Sequence, residues 1–267
     1  MTNHSITEPI ARSWLHYREK FRDSRKDSNE KNIHDLRVAT QRFEAILKIS
    51  QRLIFSRSAL KLIKSLTKTR KILGPLRDLQ IEIKQDQQKN KKFFRFLKHE
   101  EKQANKNASR YLKKLSLKDE KKLVHKVLGE KIRSVEKKCT AKKMHSLLTP
   151  IIKSSLLQLN DVVSKKSIPP MKRIHKFRQL AKKLRYQEEA LESMFARPNL
   201  ELSKLKLIQS GIGKLQDQNA LFKNMNRYLS KKRNKGDFEV RASKKKMGRK
   251  IESQMKADLT VGILVSS

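Results

Sequence analysis

The chain has 267 residues, of which 66 are lysine or arginine and 26 are aspartate or glutamate, so its formal net charge is +40 at neutral pH. A chain of this length can bury a hydrophobic core as one large domain or two modest ones. The excess of positive charge is far larger than solubility requires, and it predicts a polyanionic partner: nucleic acid, an anionic membrane surface or inorganic polyphosphate.

Cysteine usage and hydropathy exclude several classes of protein. Cys139 is the only cysteine, so an internal disulfide and a thiolate metal cluster are both ruled out. The first residues lack a charged segment followed by an apolar one, and no apolar stretch approaches the ~20 residues that span a bilayer. We therefore expect a cytoplasmic protein without membrane insertion. The oligomeric state is left open.

Apolar residues recur at helical spacing throughout the chain, whereas only 7 glycines and 6 prolines interrupt it. In chain order the apolar series cover residues 6–21, 33–47, 59–83, 93–115, 124–135, 148–162, 174–184, 205–222 and 247–255. None of them alternates with the period of two that a half-buried strand requires. The predicted fold class is all-α, built from antiparallel helical bundles.

The two halves of the sequence contain the same motifs in the same order. IHDLR at 33–37 matches IHKFR at 174–178, and the two histidines are 141 residues apart. LGPLRD at 73–78 matches IGKLQD at 212–217, and here the glycines are 139 residues apart. We interpret this as a duplication, with one repeat at 1–140 and the other at 141–267. Duplicated units commonly pack about a pseudo-twofold axis, which would place the histidine-bearing helices on facing sides of a shared cleft.

A polar stripe borders the predicted core of each histidine-bearing helix. In the first repeat it contains His34, Arg37 and Gln41, one position out of phase with the apolar residues. In the second repeat it forms a column that rises about 15 Å along the helix. That column contains His175, Arg178, Lys182 and Arg185. Arg42 and Lys183, each eight residues after its histidine, widen the two stripes.

The stripes suit a phosphate chain, because arginine offers a planar fork to phosphate oxygens and lysine a mobile point charge. No base recognition would be needed. The alternative is an ion-paired helix surface in which Glu44, Glu188 and Glu189 are the partners. Columns of like charge cost an isolated helix about a few tenths of a kcal/mol per pair, and that cost favours a function.

The histidines admit three interpretations: a metal ligand, a general base, or a group that contacts the anion or orients a neighbour. A metal site is the least favoured, because neither histidine has a histidine or carboxylate partner at metal-ligand spacing.

Gly74 and Gly213 predict close helix approach, and Pro75 predicts a kink or a new helix start. Asp78 and Asp217 are expected to cap the next turn or to hold an arginine by an ion pair.

These segments, HDLRVATQRF at 34–43, HKFRQLAKKLRY at 175–186 and the paired LGPLRD and IGKLQD, resemble the CHAD family, the conserved histidine α-helical domain. The resemblance covers nearly the whole chain. It implies two antiparallel four-helix bundles related by internal pseudo-twofold symmetry, which enclose a basic central cleft or pore. It also implies binding of inorganic polyphosphate and association with polyphosphate granules in the cytoplasm. Some relatives add a triphosphate-hydrolysing domain with an ExExK strand; this sequence has no such motif and looks like a stand-alone binder.

The resemblance implies a binding role for the two histidines and for Arg37, Arg42, Arg178, Lys182 and Arg185, and the full predicted polyphosphate-binding set has ten members. They are His34, Arg37, Arg42, Arg70, Arg77, His175, Arg178, Lys182, Lys183 and Arg185. Gln41 departs from the family pattern, since a second basic residue is usual there, so we expect the N-terminal wall to bind less tightly. Gln216 likewise stands at an arginine-type position. No cofactor or metal is expected.

Two other functions compete with polyphosphate binding. Nonspecific RNA or DNA binding would use the same basic surface, since phosphate contacts alone supply such affinity. The low aromatic content, 6%, and the lack of an RNA-binding motif argue against it. Catalysis, such as cleavage of the bound chain, would usually need a metal held by clustered carboxylates, and the acidic residues are dispersed. We therefore expect a binding protein rather than an enzyme.

Overall fold

The structure, a computed structural model, describes residues 6–86, 90–129, 132, 135, 140–164, 170–195, 202–231 and 234–264. In this part of the chain there are nine helices and no strand, which confirms the predicted all-α class. In chain order they are α1 (Thr7–Lys26), α2 (Glu30–Leu53), α3 (Arg57–Asp86), α4 (Lys91–Lys114), α5 (Leu117–Val127), α6 (Ala141–Ser164), α7 (Pro170–Phe195), α8 (Leu202–Ser230) and α9 (Phe238–Leu264).

Two boundaries differ from the expectations. Helix α3 continues through Gly74 and Pro75, so the new helix start predicted at Pro75 is wrong. The fifth predicted series extends to residue 135, but α5 ends at Val127, where Leu128 and Gly129 turn the chain. Glycine is a poor helix former, so Gly129 provides a local reason for α5 to end at Val127.

Short polar side chains cap the N-termini of five of the helices. The side-chain oxygens of Asn29, Ser56, Asn90, Ser116 and Asp237 each accept a hydrogen bond from the backbone N–H three residues further on, at 2.8 to 3.3 Å. Such caps satisfy a donor that would otherwise lack a partner in the first turn, and each stabilises its helix by about 1 kcal/mol. The starts of α2, α3, α4, α5 and α9 are therefore fixed by the sequence itself.

The described residues divide into two compact units, and both contain parts of the two sequence repeats. The first unit takes its residues from Met1–Gly74, Lys106–Leu156 and Lys183–Ser203, and the second from Pro75–Asn105, Leu157–Lys182 and Lys204–Ser267. The units are defined by packing rather than by repetition. The repeat boundary at residues 140 and 141, the pseudo-twofold pair of four-helix bundles and the basic central cleft therefore stay predictions.

An aromatic cluster holds α2 against α1 in the first unit. Tyr17 and Phe21 of α1 and Phe43 of α2 are fully buried, and Trp14 is nearly so. The ring centroids of Tyr17 and Phe43 are 6.0 Å apart, and those of Trp14 and Phe43 are 6.3 Å apart. Because Phe43 is directed inward, the neighbouring Arg42 on α2 is left at the surface.

A second aromatic cluster joins α4, α8 and α9 in the second unit. The rings of Phe93 and Tyr228 meet edge to face with centroids 5.4 Å apart, and Val240 of α9 packs in the same cluster. The Tyr228 hydroxyl donates to Asp237 at 2.9 Å, so the residue that caps α9 also binds α8. A smaller cluster of Ile174, Leu215 and Ile251 places the start of α7 in this unit. None of the described helices is both long and apolar enough to cross a membrane.

Candidate functional site

The ten residues predicted to bind polyphosphate belong to both units. Six lie in the first unit, where they form what we call the first basic group. They are His34, Arg37, Arg42, Arg70, Lys183 and Arg185. Four lie in the second unit and form the second basic group: Arg77, His175, Arg178 and Lys182.

The stripe of the first basic group borders the core as predicted. Ile33, Leu36 and Thr40 are completely buried, whereas His34 and Arg42 on the same helix are exposed. Arg37 is half-buried, and its Nη1 donates to the backbone carbonyl oxygen of Arg70 on α3 at 2.7 Å. This hydrogen bond brings two members of the group together and fixes the guanidinium of Arg37.

Each of the two duplicated glycines lies beside one of the duplicated arginines. A Cβ atom on Gly74 would lie 3.4 Å from Nη1 of Arg37, and a Cβ on Gly213 would lie 3.6 Å from Nη2 of Arg178. In both cases the group beside the glycine is a guanidinium at ordinary van der Waals distance, and the close helix approach predicted at the glycines stays a prediction. A side chain longer than alanine at either position would occupy the place of the arginine. The same arginine–glycine contact thus occurs once in each sequence repeat.

Two carboxylates neutralise part of the first basic group. Glu189 lies 3.0 Å from Nε of Arg42 and 3.3 Å from Nε of Arg185, and Glu44 lies 3.5 Å from Arg70. The ion-paired surface that the sequence left open as an alternative is therefore present at these three arginines. These three arginines share two carboxylates, those of Glu44 and Glu189.

Tyr186 organises the surroundings of Arg185. The guanidinium carbon of Arg185 lies 4.5 Å from the centre of the Tyr186 ring, and the Tyr186 hydroxyl donates to Gln41 at 2.9 Å. Burial raises the pKa of Tyr186, so this hydroxyl keeps its proton. Gln41 stands where the family pattern has a basic residue, and its side chain accepts this hydrogen bond from Tyr186. Nothing in the sequence indicated this role for Tyr186.

In the second basic group a glutamine connects the histidine with the arginine. Arg178 donates from Nη1 to Oε1 of Gln216 at 2.7 Å, and the Gln216 amide nitrogen lies 3.1 Å from Nδ1 of His175. The other ring nitrogen of His175 lies 2.7 Å from Gln179. Two amide partners orient the imidazole, an arrangement that fits the anion-contacting or orienting interpretation better than the metal one. Gln216 was noticed in the sequence only as a replacement for arginine.

Three acidic residues of the second unit, Asp78, Asp217 and Glu82, lie close enough together to influence one another's pKa. Burial raises the pKa of Asp217, while Arg178, Lys182 and Arg77 act to lower it, so Asp217 is close enough to all three cations to sense their charge. Asp78 and Asp217 lie inside α3 and α8, far from their first turns, so the predicted capping role is wrong. Within the described residues, no three side chains of the metal-binding types are placed to hold an ion.

The third acidic residue, Glu82 on α3, was not anticipated. It is 2% exposed and accepts a hydrogen bond from the side-chain amide of Asn224 on α8. Burial, reinforced by Asp78 and Asp217, raises the pKa of Glu82 to about 7, although Asn224 and Arg227 act in the opposite direction. The carboxyl group therefore titrates near neutral pH.

Substitution of Glu82 should reveal this titration in the pH dependence of stability. The unfolded chain releases the proton near pH 4.5, where an ordinary glutamate titrates, but the folded protein holds it up to about pH 7 because burial raises the pKa of Glu82. The free energy of unfolding therefore falls as pH rises through this window. We expect Glu82→Gln, which cannot ionise, to exceed wild type by about 1–3 kcal/mol at pH 8 and to match it near pH 4.5. Urea unfolding across the range measures the difference; parallel curves for the two proteins would contradict it.

Most of the chain matches one known protein family. Residues 8–221 match the family model described as the CHAD domain. The fold is similar to the crystal structure of the CHAD domain from the plant Ricinus communis, with a TM-score of 0.68 and 13% sequence identity over 97% of this chain and 92% of that chain. No curated protein matches the sequence. Since the family model covers well over half of the residues, the chain belongs to the CHAD domain family.

Proposed function

We propose that this protein binds inorganic polyphosphate through the two basic groups, without cleaving it, and associates with polyphosphate granules. The observation that supports this most is the duplicated placement of Arg37 beside Gly74 and of Arg178 beside Gly213. Both arginines are held in place by neutral acceptors, a backbone carbonyl and a glutamine amide, respectively. These bonds to neutral groups orient the two guanidinium groups, and Asp217 offsets part of the charge of Arg178.

Oriented arginines suit a phosphate chain for a physical reason. A guanidinium that is already fixed loses little conformational freedom when it binds phosphate, so more of the interaction energy remains as affinity. The net charge of +40 adds a long-range field that accelerates the encounter with any polyanion. A repeating phosphate polymer can use both contributions, because it meets several cations in succession.

A binding role also agrees with the positions of the acidic residues. Glu44 and Glu189 face arginines, and Glu82 is buried and bonded to an amide. Carboxylates engaged in this way serve to compensate charge and to support packing. Polyphosphate incubated with the protein and Mg²⁺ or Mn²⁺ should therefore release no more orthophosphate than polyphosphate incubated in the same buffer without the protein. Release that disappears in His34 or His175 variants would overturn the non-catalytic role.

Nonspecific binding of RNA or DNA is the second candidate, and helix α9 favours it. This helix exposes Arg241, Lys245, Lys246, Arg249 and Lys250. These five cations face solvent over about two and a half turns of helix, which is sufficient for contacts with a nucleic-acid backbone but not for base recognition.

Calorimetric titration distinguishes the two candidates. The protein is titrated with long-chain polyphosphate and, separately, with tRNA at equal phosphate concentration and moderate salt. We expect saturable binding of polyphosphate that is at least about tenfold tighter than binding of tRNA, a difference of roughly 1.4 kcal/mol. Both affinities should fall with added salt, because each phosphate contact releases counterions. Equal or tighter binding of tRNA would establish nucleic-acid binding instead.

A further inference from the structure

Glu189 occupies an unusual position in the first basic group. Its two carboxylate oxygens are shared between two arginines from different helices: Oε2 lies 3.0 Å from Nε of Arg42 on α2, and Oε1 lies 3.3 Å from Nε of Arg185 on α7. The Glu189 carboxylate thus bridges two guanidinium groups, with one oxygen on each. A phosphate group of a bound polyphosphate chain could take the same position. A phosphate also presents several oxygens to neighbouring donors.

The surroundings of Glu189 differ from those of Glu44, the other carboxylate in the group. Glu44 is only 4% exposed, and its carboxylate accepts from the Thr67 hydroxyl and pairs with Lys48 and Arg70. Movement of this buried carboxylate into water would break all three contacts. Glu189 has a partly exposed side chain, 17%, and Arg42 is half-exposed. Of these two carboxylates, Glu189 can therefore move into water at lower cost.

The bond between Glu189 and Arg185 is also imperfect. Nε of Arg185 is buried, yet it has no hydrogen-bond partner in the described part of the chain, since the 3.3 Å contact with Glu189 is an ion pair without hydrogen-bond alignment. Stacking on Tyr186 holds the Arg185 guanidinium independently of Glu189. The arginine would consequently stay in position when the carboxylate leaves.

We propose that Glu189 is an internal counter-anion that neutralises Arg42 and Arg185 in the unliganded protein and is displaced by a phosphate group when polyphosphate binds. This inference rests on the proposed function. In this role Glu189 lowers the affinity for polyphosphate, because a polyphosphate chain that binds Arg42 and Arg185 must first break their two ion pairs with Glu189. The carboxylate would also repel the incoming phosphate, because both are negative.

The test compares Glu189→Gln with wild type by calorimetry with long-chain polyphosphate. Glutamine keeps the shape but removes the charge, so the variant should bind about 3- to 10-fold more tightly, as expected for release from two partly exposed ion pairs. Glu100→Gln is the matched control. Glu100 pairs with Arg227 at 2.8 Å across two helices and is similarly accessible, at 26%. Its substitution changes the net charge equally and should leave affinity unchanged.

A second measurement does not depend on any variant. Side-chain Nε–H signals of Arg42 and Arg185 in the wild-type protein, followed by NMR, should shift as polyphosphate replaces Glu189. Unchanged signals at saturation, or unchanged or weaker binding by Glu189→Gln, would overturn the role of Glu189 and leave polyphosphate binding intact. Absence of any wild-type binding would overturn both proposals.

Discussion

Replacement of Arg178, Lys182 and Arg185 by glutamine should weaken polyphosphate binding by at least about 100-fold, which corresponds to roughly 2.7 kcal/mol. The three residues follow one another along α7 at spacings of four and three, and thus form a column about 10 Å long. Each charge-assisted hydrogen bond to phosphate contributes about 1.5–3 kcal/mol, so the loss of even two such bonds reaches the expected effect. Calorimetry with long-chain polyphosphate measures it.

A matched control separates local contacts from the general field of the protein. Arg241, Lys245 and Arg249 of α9 are exposed, and they also comprise two arginines and one lysine on one helix. They lie beyond the residues that match the family. The corresponding glutamine variant removes the same amount of charge, so the long-range attraction changes equally. We expect its affinity to change by less than about threefold.

Circular dichroism and thermal unfolding should show that both triple variants remain folded. If the two variants lose affinity to the same extent, binding depends on net charge rather than on a localised site. The predicted set of binding residues would then be wrong. If only the α7 variant loses affinity, the column on α7 contributes direct phosphate contacts.

The sequence predicted those features that depend on a single helix or on the repeat. Helical periodicity located the buried face of α2, and the stripe of His34, Arg37 and Arg42 followed from it. The repeat linked Gly74 with Gly213, and each of these glycines lies beside the arginine of the same repeat. These inferences hold because helix geometry fixes which residues share a face, independently of what packs against that face.

Partner choice across helices was not predictable in the same way. Arg42 and Glu189 are 147 residues apart in the sequence, and their pairing depends on which helices are neighbours. Periodicity places each residue on a face but does not identify the facing helix. Glu82 is a similar case. Its burial and raised pKa arise from packing in the second unit, including the hydrogen bond with Asn224 of α8. In the sequence, Glu82 is one of three acidic residues within α3, and nothing there indicates that it is buried or that its pKa is raised.

The largest expected effect on stability comes from Phe43, which lies between Arg42 and Glu44 on α2. Its ring is completely buried and in contact with Trp14 and Tyr17 of α1. Substitution by alanine removes that contact area and leaves a cavity that the rigid neighbouring rings cannot fill. We expect Phe43→Ala to lower the free energy of unfolding by about 3–5 kcal/mol. Urea denaturation followed by circular dichroism measures the change.

Phe55 provides the control, because it is 67% exposed in the segment between α2 and α3. Phe55→Ala removes the same side chain, but the free energy of unfolding should change by no more than about 0.5 kcal/mol. A loss below about 1 kcal/mol for Phe43→Ala would contradict the described packing of α2 on α1. The stripe of Arg37 and Arg42 depends on that packing for its orientation. Any loss of polyphosphate affinity in Phe43→Ala should therefore follow the fraction of unfolded protein, whereas substitution of the arginines should weaken binding without unfolding the chain.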